Sequence, residues 1–160
     1  MPQRYPSKAI VNLDAYASNL ALVQRIVGRT VGVIPIVKAN AYGHGLEPIS
    51  QTAIKSGANL LGVAAVDEAI RLRDAGIETP ILVMTPPPRE VLRLFIEYKL
   101  TPILSDTAAA ESLGMMAHEA HYVAPIHCKI DTGMGRQGID YDDALDVLQR
   151  LRCITNIDIQ

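Results

Sequence analysis

Short apolar, β-branched runs recur along this chain, and a segment with helical spacing separates each from the next. The runs occupy 31–37, 60–64, 80–84, 101–104 and 123–130, and a sixth opens at Ile157. Their starts lie about 20 to 30 residues apart, the pitch of repeated βα units. Strands this short and apolar belong to a mostly parallel sheet covered by helices. Two α/β architectures satisfy that pattern, a doubly wound open sheet and part of a (β/α)₈ barrel, and periodicity does not separate them. A whole barrel typically takes roughly 250 residues, so these 160 residues are expected to hold an incomplete one at most.

The intervening segments carry start and stop signals. Asp14 is expected to cap a helix with Leu20, Val23 and Val27 on one face, stopped by Gly28. Segment 47–56 places Ile49, Ala53 and Ile54 together and stops at Gly57, and segment 67–75 stops at Gly76. Pro86, Pro87 and Pro88 suit the first turn of a further helix, because proline pre-sets helical φ and lacks a donor. Asp106 and Asp140 are the expected caps of two more.

Composition narrows the function classes. With 49% hydrophobic residues and net charge −2, the chain reads as one globular domain, 1–160, without the basic surplus of a nucleic-acid binder. No window approaches the ~18 apolar residues of a membrane span. The first seven residues lack the apolar run of a secretory signal, so a cytoplasmic location is expected. Cys128 and Cys153 are expected to be reduced, buried thiols. His118, His121 and His127 with Cys128 show no metal-site spacing, and no metal is expected.

In either architecture functional groups gather at the C-terminal ends of strands, and two such ends stand out. The first reads Val37-Lys38-Ala39-Asn40-Ala41-Tyr42-Gly43-His44-Gly45. Lys38 directly follows an apolar run, where partial desolvation disfavours an ammonium and frees an amine for carbonyl chemistry. The blander reading is a strand-end lysine reaching solvent. His44, bracketed by glycines, is expected to be a turn residue or a group supporting the site from behind rather than a metal ligand. The second end reads Lys129-Ile130-Asp131-Thr132-Gly133-Met134-Gly135-Arg136-Gln137-Gly138. Its Arg136 carries a planar guanidinium suited to carboxylate or phenolate oxygens. Here the blander reading is a charged, solvated rim. Gly133, Gly135 and Gly138 also spell G-x-G-x-x-G, with Asp158 twenty residues further on, a dinucleotide-binding fingerprint on paper. Against it, the preceding strand ends in charged residues and the best cap, Asp140, follows the third glycine.

Together the two ends, about ninety residues apart, resemble the paired signatures of alanine racemases. The opening Val11-Asn12-Leu13-Asp14 and the stretch Pro80-Ile81-Leu82-Val83-Met84 resemble that family in order and spacing too. The resemblance implies a TIM-type (β/α)₈ barrel, here about five βα units and the start of a sixth strand, with pyridoxal 5'-phosphate at its mouth. It implies that Lys38 forms the internal aldimine and works on the α-proton, that Tyr42 meets the cofactor phosphate, and that Arg136 serves cofactor and substrate. Met134 would lie toward the substrate, and Lys129, often carbamylated in such enzymes, would orient Arg136. It further implies interconversion of L- and D-alanine for peptidoglycan, a homodimer, and a C-terminal β-rich domain that supplies the opposite-face tyrosine. The chain is accordingly expected to be the N-terminal portion of a longer protein and inactive alone. A non-catalytic pyridoxal-phosphate-binding barrel and a dinucleotide-binding domain are the alternatives.

Overall fold

The computed structural model describes residues 8–160; Tyr5 and the rest of the first seven residues lie outside them. Six helices occur in order: α1 (Leu13–Val27), α2 (Leu46–Lys55), α3 (Val66–Asp74), α4 (Leu92–Glu97), α5 (Thr107–Glu119) and α6 (Ala144–Leu151). Interleaved with them run β1 (Leu61–Val63), β2 (Ile81–Val83), β3 (Thr101–Leu104), β4 (Ala124–Cys128) and β7 (Ile157–Ile159). Two further short strands, β5 (Ile130–Asp131) and β6 (Ile139–Asp140), pair only with each other.

The five-stranded sheet has the order β1-β2-β3-β4-β7, and every pair in it is parallel. A doubly wound sheet requires the order to reverse at a switch point. Here it never reverses. Right-handed crossovers that always step in one direction put all helices on one side of the sheet, and the right-handed strand twist curls such a sheet toward a barrel. The open-sheet alternative is therefore corrected by topology alone.

Strand residues of β1 and β2 are buried on both faces, and Leu72 of α3, Leu92 and Phe95 of α4 and Leu113 of α5 are buried in the same core. That double burial is why these strands read as unbroken apolar runs. The run at 31–37 behaves differently. It forms a single parallel bridge, Ile36 to Gly62, in which Gly62 N–H donates to Pro35 O at 2.9 Å and Val37 N–H donates to Gly62 O at 2.8 Å. Val31, Ile34 and Ile36 are exposed, because this edge has a neighbour on one side only, and Pro35 contributes no donor.

Several local expectations change. Asn12, not Asp14, caps α1, its side chain accepting from Ala15 N–H at 3.0 Å. Of the expected α1 face only Leu20 is buried, while Val23 and Val27 stay exposed, because α1 rests on α2, with Gln24 Nε2 donating to Ser56 O at 3.0 Å. Pro86–Pro88 precede the helical region instead of opening it: Pro88 is extended (φ −66°, ψ 155°), and a single 3-10 turn over Arg89–Val91 leads into α4. Asp106 caps α5 as expected, accepting from Ala108 and Ala109 N–H. Asp140 instead accepts from Asp142 N–H at 3.1 Å, closing a turn ahead of α6. Cys153 is exposed and only Cys128 is half-buried.

Arg73, near the end of α3, is a structural hub with no counterpart in the sequence reading. Its guanidinium donates to Ile77 O (2.6 Å), Thr79 O (2.8 Å), Tyr98 O (2.9 Å) and Lys99 O (3.1 Å). Burial pulls its pKa down, with Tyr122 and Glu78 acting in the opposite sense, yet a guanidinium keeps its charge. Arg73→Met strands these carbonyls. It is expected to cost about 2–3 kcal/mol, read as a lower midpoint in thermal or urea unfolding. Arg73→Lys should recover less than half, since an ammonium cannot reach four acceptors in a fork.

Candidate active site

Lys38 leaves the sheet edge at the C-terminal end of the bridge. Val37 before it is fully buried, and Lys38 itself is half-buried. The chain then does something uncommon: Ala39, Asn40, Ala41 and Tyr42 all adopt left-handed φ values, 52°, 56°, 51° and 54°. Left-handed backbone costs an L-residue about 1–2 kcal/mol, so a four-residue run persists only when its surroundings hold it. Asn40, the residue type that best tolerates this region, holds one end by accepting Leu46 N–H on Oδ1 at 2.9 Å, at the start of α2. Gly43 (φ 85°) and Gly45 (φ 100°) complete the reversal, and His44 Nδ1 meets Ala41 O at 2.9 Å, the turn role expected of it. At the other end Glu68, on the first turn of α3, accepts Ala39 N–H at 2.6 Å. The turn projects Tyr42, 61% exposed, beside a cavity of about 530 Å³ that it lines with His44, Tyr16 and Asn12.

The second group sits on β4 and the loop beyond. The expected strand 123–130 is broken at Lys129, where the main chain changes partners: Lys129 N–H donates to Leu104 O on β3 (3.3 Å), and its carbonyl accepts Ile139 N–H (2.8 Å). The glycine loop is thus the connection of the small β5–β6 ribbon. Gly138 (φ 131°) must be glycine, because a Cβ there would stand 2.6 Å from Asp131 N. Asp131 turns inward on its own loop, accepting Gly133 N–H at 2.9 Å. The Gly133 and Gly135 N–H groups together hold its carboxyl below the usual carboxylate value. Met134 (76% exposed) and Arg136 project from this loop into solvent. Gly138 opens a strand, not a helix, so the dinucleotide fingerprint is a coincidence of spacing.

One bond carries the loop back across the sheet. Gln137 Nε2 donates to Met84 O at 3.0 Å, just past the end of β2. The loop with Arg136 therefore hangs over the same rim as Lys38, two sheet positions from the bridge strand. The structure unites Lys38, Tyr42 and His44 in one turn, and Lys129, Met134 and Arg136 in one loop. No hydrogen bond or ion pair joins the two groups among the described residues. The ion pairs there, Arg71–Glu47 and Arg93–Glu119, leave the amine of Lys38 and the guanidinium of Arg136 uncommitted. Asn40, Glu68 and Gln137 were missed as supports. Only Glu68 had a signal, a glutamate at the third position of a helix.

Comparison with known proteins places the chain in a family. Residues 11–160 match the model described as "Alanine racemase, N-terminal domain". The chain is 34% identical over 155 residues to an alanine racemase of Halothermothrix orenii, covering 97% of this chain and 41% of that protein. It is 38% identical over 138 residues to alanine racemase 1 of Caldanaerobacter subterraneus, covering 86% and 36%. The chain thus spans about two fifths of the length of these relatives. Among solved structures, alanine racemase from Clostridium difficile 630 superposes with a TM-score of 0.86 at 28% identity, over 93% of this chain and 38% of that one. The Bacillus anthracis alanine racemase with bound L-Ala-P gives 0.82 at 30% identity, over 92% and 38%. The sequential parallel sheet is therefore an incomplete TIM-type (β/α) barrel, and the chain belongs to the alanine racemase family through its N-terminal domain.

Proposed function

We propose that this chain is the N-terminal, cofactor-carrying portion of a pyridoxal 5'-phosphate-dependent racemase that interconverts L- and D-alanine. The observation that carries the reading is a half-buried lysine at a strand end, held by a braced left-handed turn, with an arginine loop tied to the same rim. The donor set fits that cofactor: Lys38 is an amine with no carboxylate paired to it among the described residues, and Arg136 is a cation free for a phenolate or carboxylate oxygen. When bound, pyridoxal 5'-phosphate supplies the electron sink for negative charge at the α-carbon.

The chain's own residues supply position and proton transfer. Lys38 would hold the cofactor through Nζ and would take or return the α-proton on one face. Tyr42 offers its hydroxyl to the phosphate. Arg136, with Met134 beside it, binds the substrate carboxylate, and Lys129 orients Arg136 from the strand end below. The opposite-face base, a C-terminal β-rich domain and a homodimer partner belong to the same reading. So does the role of D-alanine in peptidoglycan, and with it a cytoplasmic setting. Among the described residues no helix is long and apolar enough to cross a membrane.

Borohydride treatment of the cofactor-loaded complete protein, followed by peptide mapping, is expected to place the pyridoxyl group on Lys38. A label on Lys129 or Lys55 instead would sink the assignment. Label on Lys38 without exchange of the alanine α-hydrogen in heavy water would favour a non-catalytic cofactor carrier.

A further inference from the structure

We infer that Glu68 is a positioning residue for Lys38, gripping the peptide that follows the lysine and so fixing the direction in which its side chain leaves the rim. This inference rests on the reading of Lys38 as the cofactor-carrying lysine. A glutamate at the third position of a helix ordinarily reaches back to the free N–H groups at that helix's own start. One oxygen of Glu68 does so: Oε2 accepts Ala64 N–H at 2.9 Å and Ala65 N–H at 3.3 Å. Ala65 has no acceptor to return the bond, so only this half of the usual reciprocal cap exists. Capping α3 therefore occupies one oxygen and leaves the other free.

That second oxygen goes elsewhere. Oε1 accepts Ala39 N–H at 2.6 Å, from a residue 29 positions earlier in the chain. The Ala39 N–H belongs to the Lys38–Ala39 peptide plane, so holding it fixes ψ of Lys38 and, with it, the Cα–Cβ direction. Ala39 is also the first of the four left-handed residues. The far end of that run is held by Asn40 and His44. At the near end, Glu68 is the side chain that accepts from it among the described residues. An ionised acceptor also makes stronger bonds to N–H than a neutral one. Glu68 is half-buried, its bond to Ala64 N–H is partly shielded, and its bond to Ala39 N–H faces solvent. The carboxylate thus joins three points of one rim: the lysine's peptide, the end of β1, and the start of α3.

The test uses the complete, cofactor-loaded protein and three variants. In Glu68→Ala both grips are lost. In Glu68→Gln one oxygen remains, so either Ala39 or the start of α3 can be served, but not both. Arg73→Met is the control, since it destabilises the fold from carbonyls at the opposite rim. Thermal midpoint, dissociation constant for pyridoxal 5'-phosphate, and rate of borohydride-fixed labelling at Lys38 are read for each. Glu68→Ala is expected to weaken cofactor binding about ten- to hundredfold and to slow labelling in parallel. Glu68→Gln should lose about tenfold with little change in midpoint. Arg73→Met should lower the midpoint while leaving binding and labelling within about twofold. If either Glu68 variant folds and binds and labels as wild type does, Glu68 is only a helix cap and the inference is overturned. Loss of binding in Arg73→Met in proportion to its lost stability would overturn it equally. Absence of label on Lys38 in the wild-type protein overturns the reading of the lysine, and the positioning role with it.

Discussion

Purified alone, these 160 residues are expected to leave L- and D-alanine unconverted. Racemisation removes a proton from one face of the α-carbon and delivers another to the opposite face, so with Lys38 in its proposed role a second acid–base group must oppose it. The described tyrosines do not supply it. Tyr98 and Tyr122 precede β3 and β4, at the rim away from Lys38. Tyr16 stands half-buried on α1, outside the lysine's turn, and burial raises its pKa. Tyr42 belongs to the lysine's own turn, and Tyr141 is an exposed residue beyond β6. Two open sheet edges, at Ile36 and at β7, also admit water, which weakens any electrostatic stabilisation of the reacting centre. Such edges invite self-association. The measurement is exchange of the α-hydrogen in heavy water together with chiral analysis. Robust interconversion by this chain, abolished by Lys38→Ala, would show that the second base lies within it.

Arg136→Ala in the complete protein is expected to lower turnover about a hundred- to a thousandfold, the scale of losing one positioned donor to a developing charge. The unfolding midpoint should barely move, because Arg136 lies on an exposed loop and braces nothing among the described residues. Arg136→Lys should also be impaired, since an ammonium reproduces neither the plane nor the paired donors. Wild-type turnover in the lysine variant would remove Arg136 from the oxygen-binding role. Parallel kinetics and melting curves separate this from a folding defect.

Most of the barrel segment was legible because β1 and β2 are buried on both faces and because a glycine follows α1, α2 and α3 directly or after one residue. Periodicity located β1, β2 and β3 to within a residue at each end. What escaped were features decided by a neighbour distant in sequence. The run at 31–37 has strand composition, yet pairs only through Ile36, since pairing needs a partner and composition does not reveal one. Asp14 and Asp140 are good caps by type, but Asn12 begins α1, and Asp140 serves its own turn. Lys38 and Tyr42 fall in one turn, and Lys129, Met134 and Arg136 at one loop, because each motif is contiguous in sequence. Glu68, Gln137 and Arg73 were not legible, because their partners include main-chain atoms 29, 53 and 26 positions away, and main-chain atoms leave no trace in residue identity.

The sheet's sequential order bears on how the protein is made. Each strand of β1 to β4 docks on the strand that left the ribosome just before it, so assembly needs only short loop closures and never waits for a remote segment. The growing edge is always the newest strand. The lysine's turn and the glutamate that grips it are both complete once α3 has emerged, whereas the arginine loop cannot dock on Met84 until β6 has been synthesised. Lys38 is thus seated first, and Arg136 is added to a rim already in place.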